Sequence, residues 1–98
     1  MKYLKHYGVS EEQIEELKEI YNDGIIKFLT EEEEFVVEKL EYLQNKGYFI
    51  FPILNNNIKI FLETMKPLEE KIRNMEKKGY SAKMIQMILI DEKKYNEQ

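Results

Sequence analysis

Carboxylates are the residues this chain has most of for doing chemistry, with nineteen Asp and Glu among 98 residues. Glu31-Glu32-Glu33-Glu34 form an unbroken run, and acid pairs occur elsewhere. Two carboxylates held close together can act as general acid and base, and several can hold a hard cation. Neither use is marked out here. No nucleophile stands at a fixed spacing from an acid pair, and no apolar segment isolates one acid from its neighbour. Acids in the first turn of a helix are favoured by its dipole, which explains the run at 31–34 without a metal. Thiolate nucleophiles, disulfides and Cys-ligated metals are excluded because the chain has no cysteine. A single histidine, His6, cannot assemble a His-based metal site and reads as a surface residue. The four glycines are scattered, so no phosphate-cradling loop exists. No enzyme activity, catalytic residue, metal or cofactor is expected.

Binding is the remaining chemistry, and the charges are unevenly spread for it. Residues 11–41 carry twelve acids and three lysines. Residues 56–88 carry seven basic and four acidic groups. The net charge of −4 disfavours general attraction to phosphate, while the basic segment leaves a local route open. The acidic segment offers Glu31, Glu33, Glu34, Glu38 and Glu41 to a basic protein partner. Solvated helix faces are the plainer explanation for both segments.

These groups need a scaffold, and 98 residues allow one domain, expected over 1–98. Four helices are expected, at about 11–22, 31–46, 67–78 and 82–95. Ser10 with Gln13, and Thr30 with Glu33, read as capping boxes. Asn22-Asp23-Gly24 reads as a stop, and Gly47 and Gly79 as helix-ending glycines. Pro67 suits the first position of the third helix, and Ser81 caps the fourth. Ile14, Leu17 and Tyr21 make one apolar face, Val36, Leu40 and Leu43 a second, and Leu68, Ile72 and Met75 a third. The last helix is apolar nearly all round from Met84 to Ile90, which points to burial or to a homodimer contact through it.

Between the second and third helices, the run Tyr48 to Leu54 is aromatic and β-branched. Asn55-Asn56-Asn57 follows, and then Ile58 to Glu63 resumes the same composition. This predicts a β-hairpin over about 48–63, with Pro52 on an edge strand. The alternative is a helix, because Phe61, Met65, Leu68, Ile72 and Met75 keep a 4-3-4-3 spacing. An internal echo also appears. Glu38-Lys39-Leu40 through Lys46-Gly47-Tyr48 aligns with Glu70-Lys71-Ile72 through Lys78-Gly79-Tyr80 at an offset of 32, and Gly8-Val9-Ser10 echoes Gly79-Tyr80-Ser81. Shared helix-stop chemistry explains such an echo as well as a true repeat does.

Two family resemblances follow. Thr30-Glu31-Glu32, the seam Phe35-Val36-Val37 with Leu40 and Leu43, and Lys46-Gly47-Tyr48 before the hairpin together resemble the core of a winged-helix DNA-binding domain. That implies an α+β fold and a small DNA-associated accessory or regulatory protein. Since Glu33, Glu34, Glu38 and Glu41 crowd the usual recognition helix, double-stranded DNA would instead meet the wing at Asn56, Asn57 and Lys59. It would also meet the basic segment at Lys66, Lys71, Arg73, Lys77, Lys78 and Lys83. The Gly-x-Ser helix starts paired with Leu-rich helices also resemble the helical repeats of mitochondrial transcription termination factors, which implies an all-α helical repeat. No stretch reaches the roughly 20 apolar residues that span a bilayer. No secretory leader is read at Met1 to Ser10, and a Cys-free chain fits the cytoplasm.

Overall fold

The computed structural model describes residues 1–98 and contains only helices. A 3-10 turn over Lys2–Tyr7 leads into α1 (Glu11–Ile20), α2 (Asp23–Glu31), α3 (Glu33–Asn45) and α4 (Ile50–Asn56). They are followed by α5 (Lys59–Leu62), α6 (Met65–Lys77), α7 (Ala82–Leu89) and α8 (Glu92–Asn96). The box at Ser10 forms in full: Ser10 Oγ accepts from the Gln13 amide at 3.1 Å, and Gln13 Oε1 accepts from the Ser10 amide at 3.0 Å. Thr30 does not cap α3. It lies inside α2 and donates to the Ile26 carbonyl at 2.8 Å, so α3 starts two residues later than expected. Asn22, expected as part of a stop, begins α2 instead: α1 ends at Ile20 with Tyr21 as its C-cap, and Asn22 Oδ1 accepts from the Ile25 amide at 2.9 Å.

The predicted hairpin over 48–63 is absent, and the α+β winged-helix assignment falls with it. The segment is α4 and α5. Its buried residues are Tyr48, Ile50, Ile53, Leu54, Asn57, Ile60 and Phe61, and from Ile50 on they keep a helical spacing rather than an alternating one. Burial on one helical face outweighs the β-propensity of aromatic and β-branched residues, which is strongly context-dependent. Pro52 is tolerated because it is the third residue of α4, where a backbone N–H has no intrahelical acceptor in any case. Pro67 sits likewise in the first turn of α6, which opens at Met65. The expected helix over 82–95 divides at Ile90-Asp91, and Asp91 Oδ1 accepts from the Lys94 amide at 3.1 Å to start α8.

The echo at offset 32 is a repeat of structure. Helices α3 and α6 are both thirteen residues long and start 32 residues apart. Each ends in a left-handed glycine, Gly47 at φ 88° and Gly79 at φ 85°. The amides of Tyr48 and Tyr80 then bond back to the Leu43 and Met75 carbonyls at 3.0 and 3.1 Å. Gly8 makes the same turn after the 3-10 segment, with the Val9 amide on the Leu4 carbonyl at 3.3 Å. Three units result, each a first helix, a glycine turn, a second helix and a shorter third. The second helices stack in order. α1 packs on α4, where the Tyr21 hydroxyl donates to the Leu54 carbonyl. α4 is joined to α7 by the Gln86 side chain, which accepts from the Phe49 amide at 2.7 Å and donates to the Phe49 carbonyl at 3.2 Å. The stack gives an elongated body of 37 × 22 × 21 Å around one core of 21 buried apolar residues. No helix is long and apolar enough to cross a membrane.

Candidate functional site

The residues expected to contact DNA are not brought together. Without a wing, Asn57 lies in the core, 1% exposed, and its Nδ2 donates to the Leu89 carbonyl at 2.9 Å. Asn56 bonds back to the Pro52 carbonyl at 2.8 Å within its own helix. Lys59 faces Glu92 at 3.7 Å. Lys71 is turned inward, its ammonium on the Tyr95 carbonyl at 3.0 Å and 4.1 Å from the centre of the Tyr95 ring. Arg73, Lys77, Lys78 and Lys83 are exposed and form no ion pair, while Lys66 stands 3.9 Å from Glu70. Lys66, Arg73 and Lys77 do share one stripe of α6, at i, i+7 and i+11, with Glu70 among them.

The acidic set is better ordered. Glu34, Glu38 and Glu41 occupy i, i+4 and i+7 of α3, all exposed and none in an ion pair. Glu31 and Glu33 are exposed beside the α2–α3 junction. The opposite side of α3 buries Val36, Leu40 and Leu43, which fixes the acidic stripe toward solvent. Tyr7 reaches the stripe from the first unit, donating to Glu41 Oε1 at 3.2 Å. Partial burial, and then this bond, hold the Tyr7 phenol above its ordinary pKa. An offset of 32 maps Glu34, Glu38 and Glu41 onto Lys66, Glu70 and Arg73. Equivalent stripes of the second and third units thus carry opposite overall charge.

Lys39 was not anticipated. It is 1% exposed, donates to the Glu63 carbonyl at 2.7 Å and lies 3.3 Å from the centre of the Phe35 ring. Phe35 meets Phe28 edge to face at 5.7 Å. Burial lowers the Lys39 pKa, partly opposed by Glu38. A lysine with a lowered pKa is a potential nucleophile. Here the ammonium is occupied by a carbonyl and a ring, and it lines neither of the surface grooves beside α1. The sequence held one signal for it: Lys39 and Lys71 coincide in the echo, beside the apolar seam.

Two surface grooves flank α1. One, of about 550 Å³, lies between the 3-10 turn, α1 and α2, with Glu11, Glu12 and Glu15 and, in equal number, Lys2, Lys5 and Lys18 among its walls. The other, of about 470 Å³, follows the α1–α4 junction, with Phe49 at its edge and 73% exposed. No three His, Asp or Glu residues gather closely enough to hold a metal ion. No protein-family model matches the chain, and no curated protein or solved structure does either.

Proposed function

We propose that the protein is a non-catalytic interaction module, built of three helical units, that docks on a basic partner protein through the acidic stripe of α3. The observation that carries this is the alignment of Glu34, Glu38 and Glu41 on one solvent face with no basic residue paired to any of them. Glu31 and Glu33 extend the same field toward α2. A row of like charge on a rigid helix steers an oppositely charged partner and fixes its register. A chain without cysteine is at home in the reducing cytoplasm.

A second reading keeps duplex DNA as the partner. It is favoured by the stripe of Lys66, Arg73 and Lys77 on α6, with Lys78 and Lys83 following, and by the resemblance of the helix starts to termination-factor repeats. It ranks lower because Glu70 interrupts the stripe and Lys71 is turned inward.

Binding of a Lys/Arg-rich peptide and of a short mixed-sequence duplex, each at low and moderate salt, separates the two. The acidic docking reading expects salt-sensitive peptide binding that weakens about tenfold or more in the triple variant Glu34→Lys, Glu38→Lys, Glu41→Lys, roughly 1.4 kcal/mol. Peptide binding unchanged by the triple reversal would overturn it. Duplex binding lost on reversing Lys66, Arg73 and Lys77 would establish the second reading.

A further inference from the structure

The stack leaves α1 and α7 at its two ends, and those ends are unlike. On α7, Gln86 faces α4 through its paired bonds to Phe49, and the Leu89 side chain is buried. At 100° per residue, Met84 and Met87 fall on the side away from both. They are 47% and 56% exposed, with exposed Lys83 beside them. Aligning the glycine turns, Gly8 on Gly79, places Met84 where the first unit has Gln13. Gln13 lines the groove at the α1–α4 junction, so Met84 and Met87 lie on the side of α7 where a following unit would pack.

The other end is polar and concave. Glu12, Glu15 and Glu19 lie at i, i+3 and i+7 of α1, on the side away from Leu17 and Tyr21. Glu12 and Glu15 border the groove of about 550 Å³, together with Glu11, Lys2, Lys5 and Lys18, and its apolar wall is Met1 and Ile14; Glu19 lies one turn further along α1. Glu15 pairs with Lys18 at 3.2 Å, while Glu12 and Glu19 pair with nothing. The ends also differ in sign: residues 1–32 hold four lysines against eight acids, and residues 65–98 hold eight basic groups against six acids.

We infer that the chain associates head to tail with a second copy, the Met84–Met87 face of one molecule seating in the α1 groove of the next, against its apolar wall of Met1 and Ile14 and beside the unpaired Glu12. The contact continues between molecules the stacking that joins α1 to α4 and α4 to α7. Methionine side chains adapt to an irregular groove, and Lys83 meets Glu12 and Glu19. Pairing α7 with α7 across a two-fold axis would instead set two net-positive third units against each other. A head-to-tail contact does not close in a dimer, so assemblies grow with concentration.

Sedimentation velocity over a concentration series tests this with two surface variants, each checked for native helicity. One is Met84→Glu, Met87→Glu, which disables the tail; the other is Glu12→Lys, Glu15→Lys, Glu19→Lys, which disables the head. The wild type is expected to gain mass beyond a dimer as concentration rises and each variant alone to stay monomeric. An equimolar mixture of the two is expected to form a one-to-one pair through the remaining good head and good tail. A head variant that dimerises alone shows a two-fold contact and overturns the inference, as does a wild type that stays monomeric at millimolar concentration. Should either variant misfold, methyl resonances of Met84 and Met87 in the wild type serve instead. They are expected to shift on dilution, and fixed positions overturn the inference.

Discussion

Lys39 and Lys71 stand 32 residues apart and make the same connection. Each ammonium crosses to a backbone carbonyl 24 residues further on, Glu63 at 2.7 Å and Tyr95 at 3.0 Å. Each also lies over an aromatic ring, that of Phe35 or Tyr95. The carbonyl of Glu63 is at the end of α5, where backbone carbonyls lack intrahelical partners and carry partial negative charge. The lysine therefore ties the first helix of its unit to the third.

Substitution at Lys39 separates its stem from its charge. Lys39→Met keeps the apolar length and drops the ammonium, and is expected to cost about 1 kcal/mol, the net worth of one hydrogen bond. Lys39→Ala also opens a cavity beside Phe35 and Leu40 and is expected to cost roughly 3 kcal/mol. Urea midpoints measure both. Equal losses would mean that the charge alone matters and the stem contributes nothing.

Asn57 offers a second test, because it was expected at the tip of a wing and lies in the core instead. Its Oδ1 has no partner, while its Nδ2 holds the Leu89 carbonyl. Asn57→Asp replaces that donor with a carboxylate facing a carbonyl in apolar surroundings. The folded-state pKa of such a carboxyl is raised above its ordinary value near 4, so the penalty is absent in acid and grows as pH rises. A loss of about 3 kcal/mol is expected at pH 7, shrinking toward pH 4. A variant as stable as the wild type at pH 7 would place this side chain in water.

Much of this architecture was legible in the residues. Capping at Ser10 and Ser81, the ends at Gly47 and Gly79, and the seam of α3 follow from local chemistry that tertiary packing did not override. The segment around Pro52 was misread because its residue types favour strands, whereas its buried positions keep a helical period. The two signals conflicted, and the packing of α4 against α1 and α3 decided between them. Charge reversal between the α3 and α6 stripes was hidden for a related reason. It shows only when helix bounds are known well enough to put Glu34 and Lys66 at one position. Lys39 was missed because lysine is seldom buried without a carboxylate partner, and its partner here is a backbone carbonyl.

The glycine turns can be tested for equivalence. A Cβ at Gly47 or Gly79 meets no atom within 4 Å, so the cost of alanine is the left-handed backbone alone. Gly47→Ala and Gly79→Ala are each expected to cost about 1 kcal/mol. The double variant is expected to lose the sum, since neither site has a side-chain partner to couple through. Thermal or urea unfolding of the three variants checks this. A large excess at one position would show that the two turns are not the same device.

Alkaline pH acts on the tyrosines that burial shields from water. The Tyr21 hydroxyl donates to the Leu54 carbonyl, and burial pushes its pKa from 10 up to about 12, with Glu92 adding to the shift. Burial raises Tyr3 and Tyr95 still further; Tyr3 donates to the Leu29 carbonyl at 2.6 Å. Between pH 10 and 12 the unfolded chain releases protons that these folded phenols retain, so their contribution is complete below pH 10 and lost as pH rises through that window. Lys39 acts in the opposite sense. Its folded pKa is lowered, so the unfolded state holds the extra proton, and stability from this group rises as pH approaches the ordinary lysine value. Three phenols outweigh one lysine, and net stability is expected to fall above pH 10. Tyr21→Phe should flatten part of that fall while losing the Leu54 bond at neutral pH, a cost of about 1 kcal/mol. Thermal midpoints across the window, followed together with tyrosinate absorption, measure both effects. Tyrosinate from Tyr3, Tyr21 and Tyr95 is expected only as the chain unfolds. Ionisation of all seven tyrosines near pH 10 with the helices intact would show that these three hydroxyls are open to water.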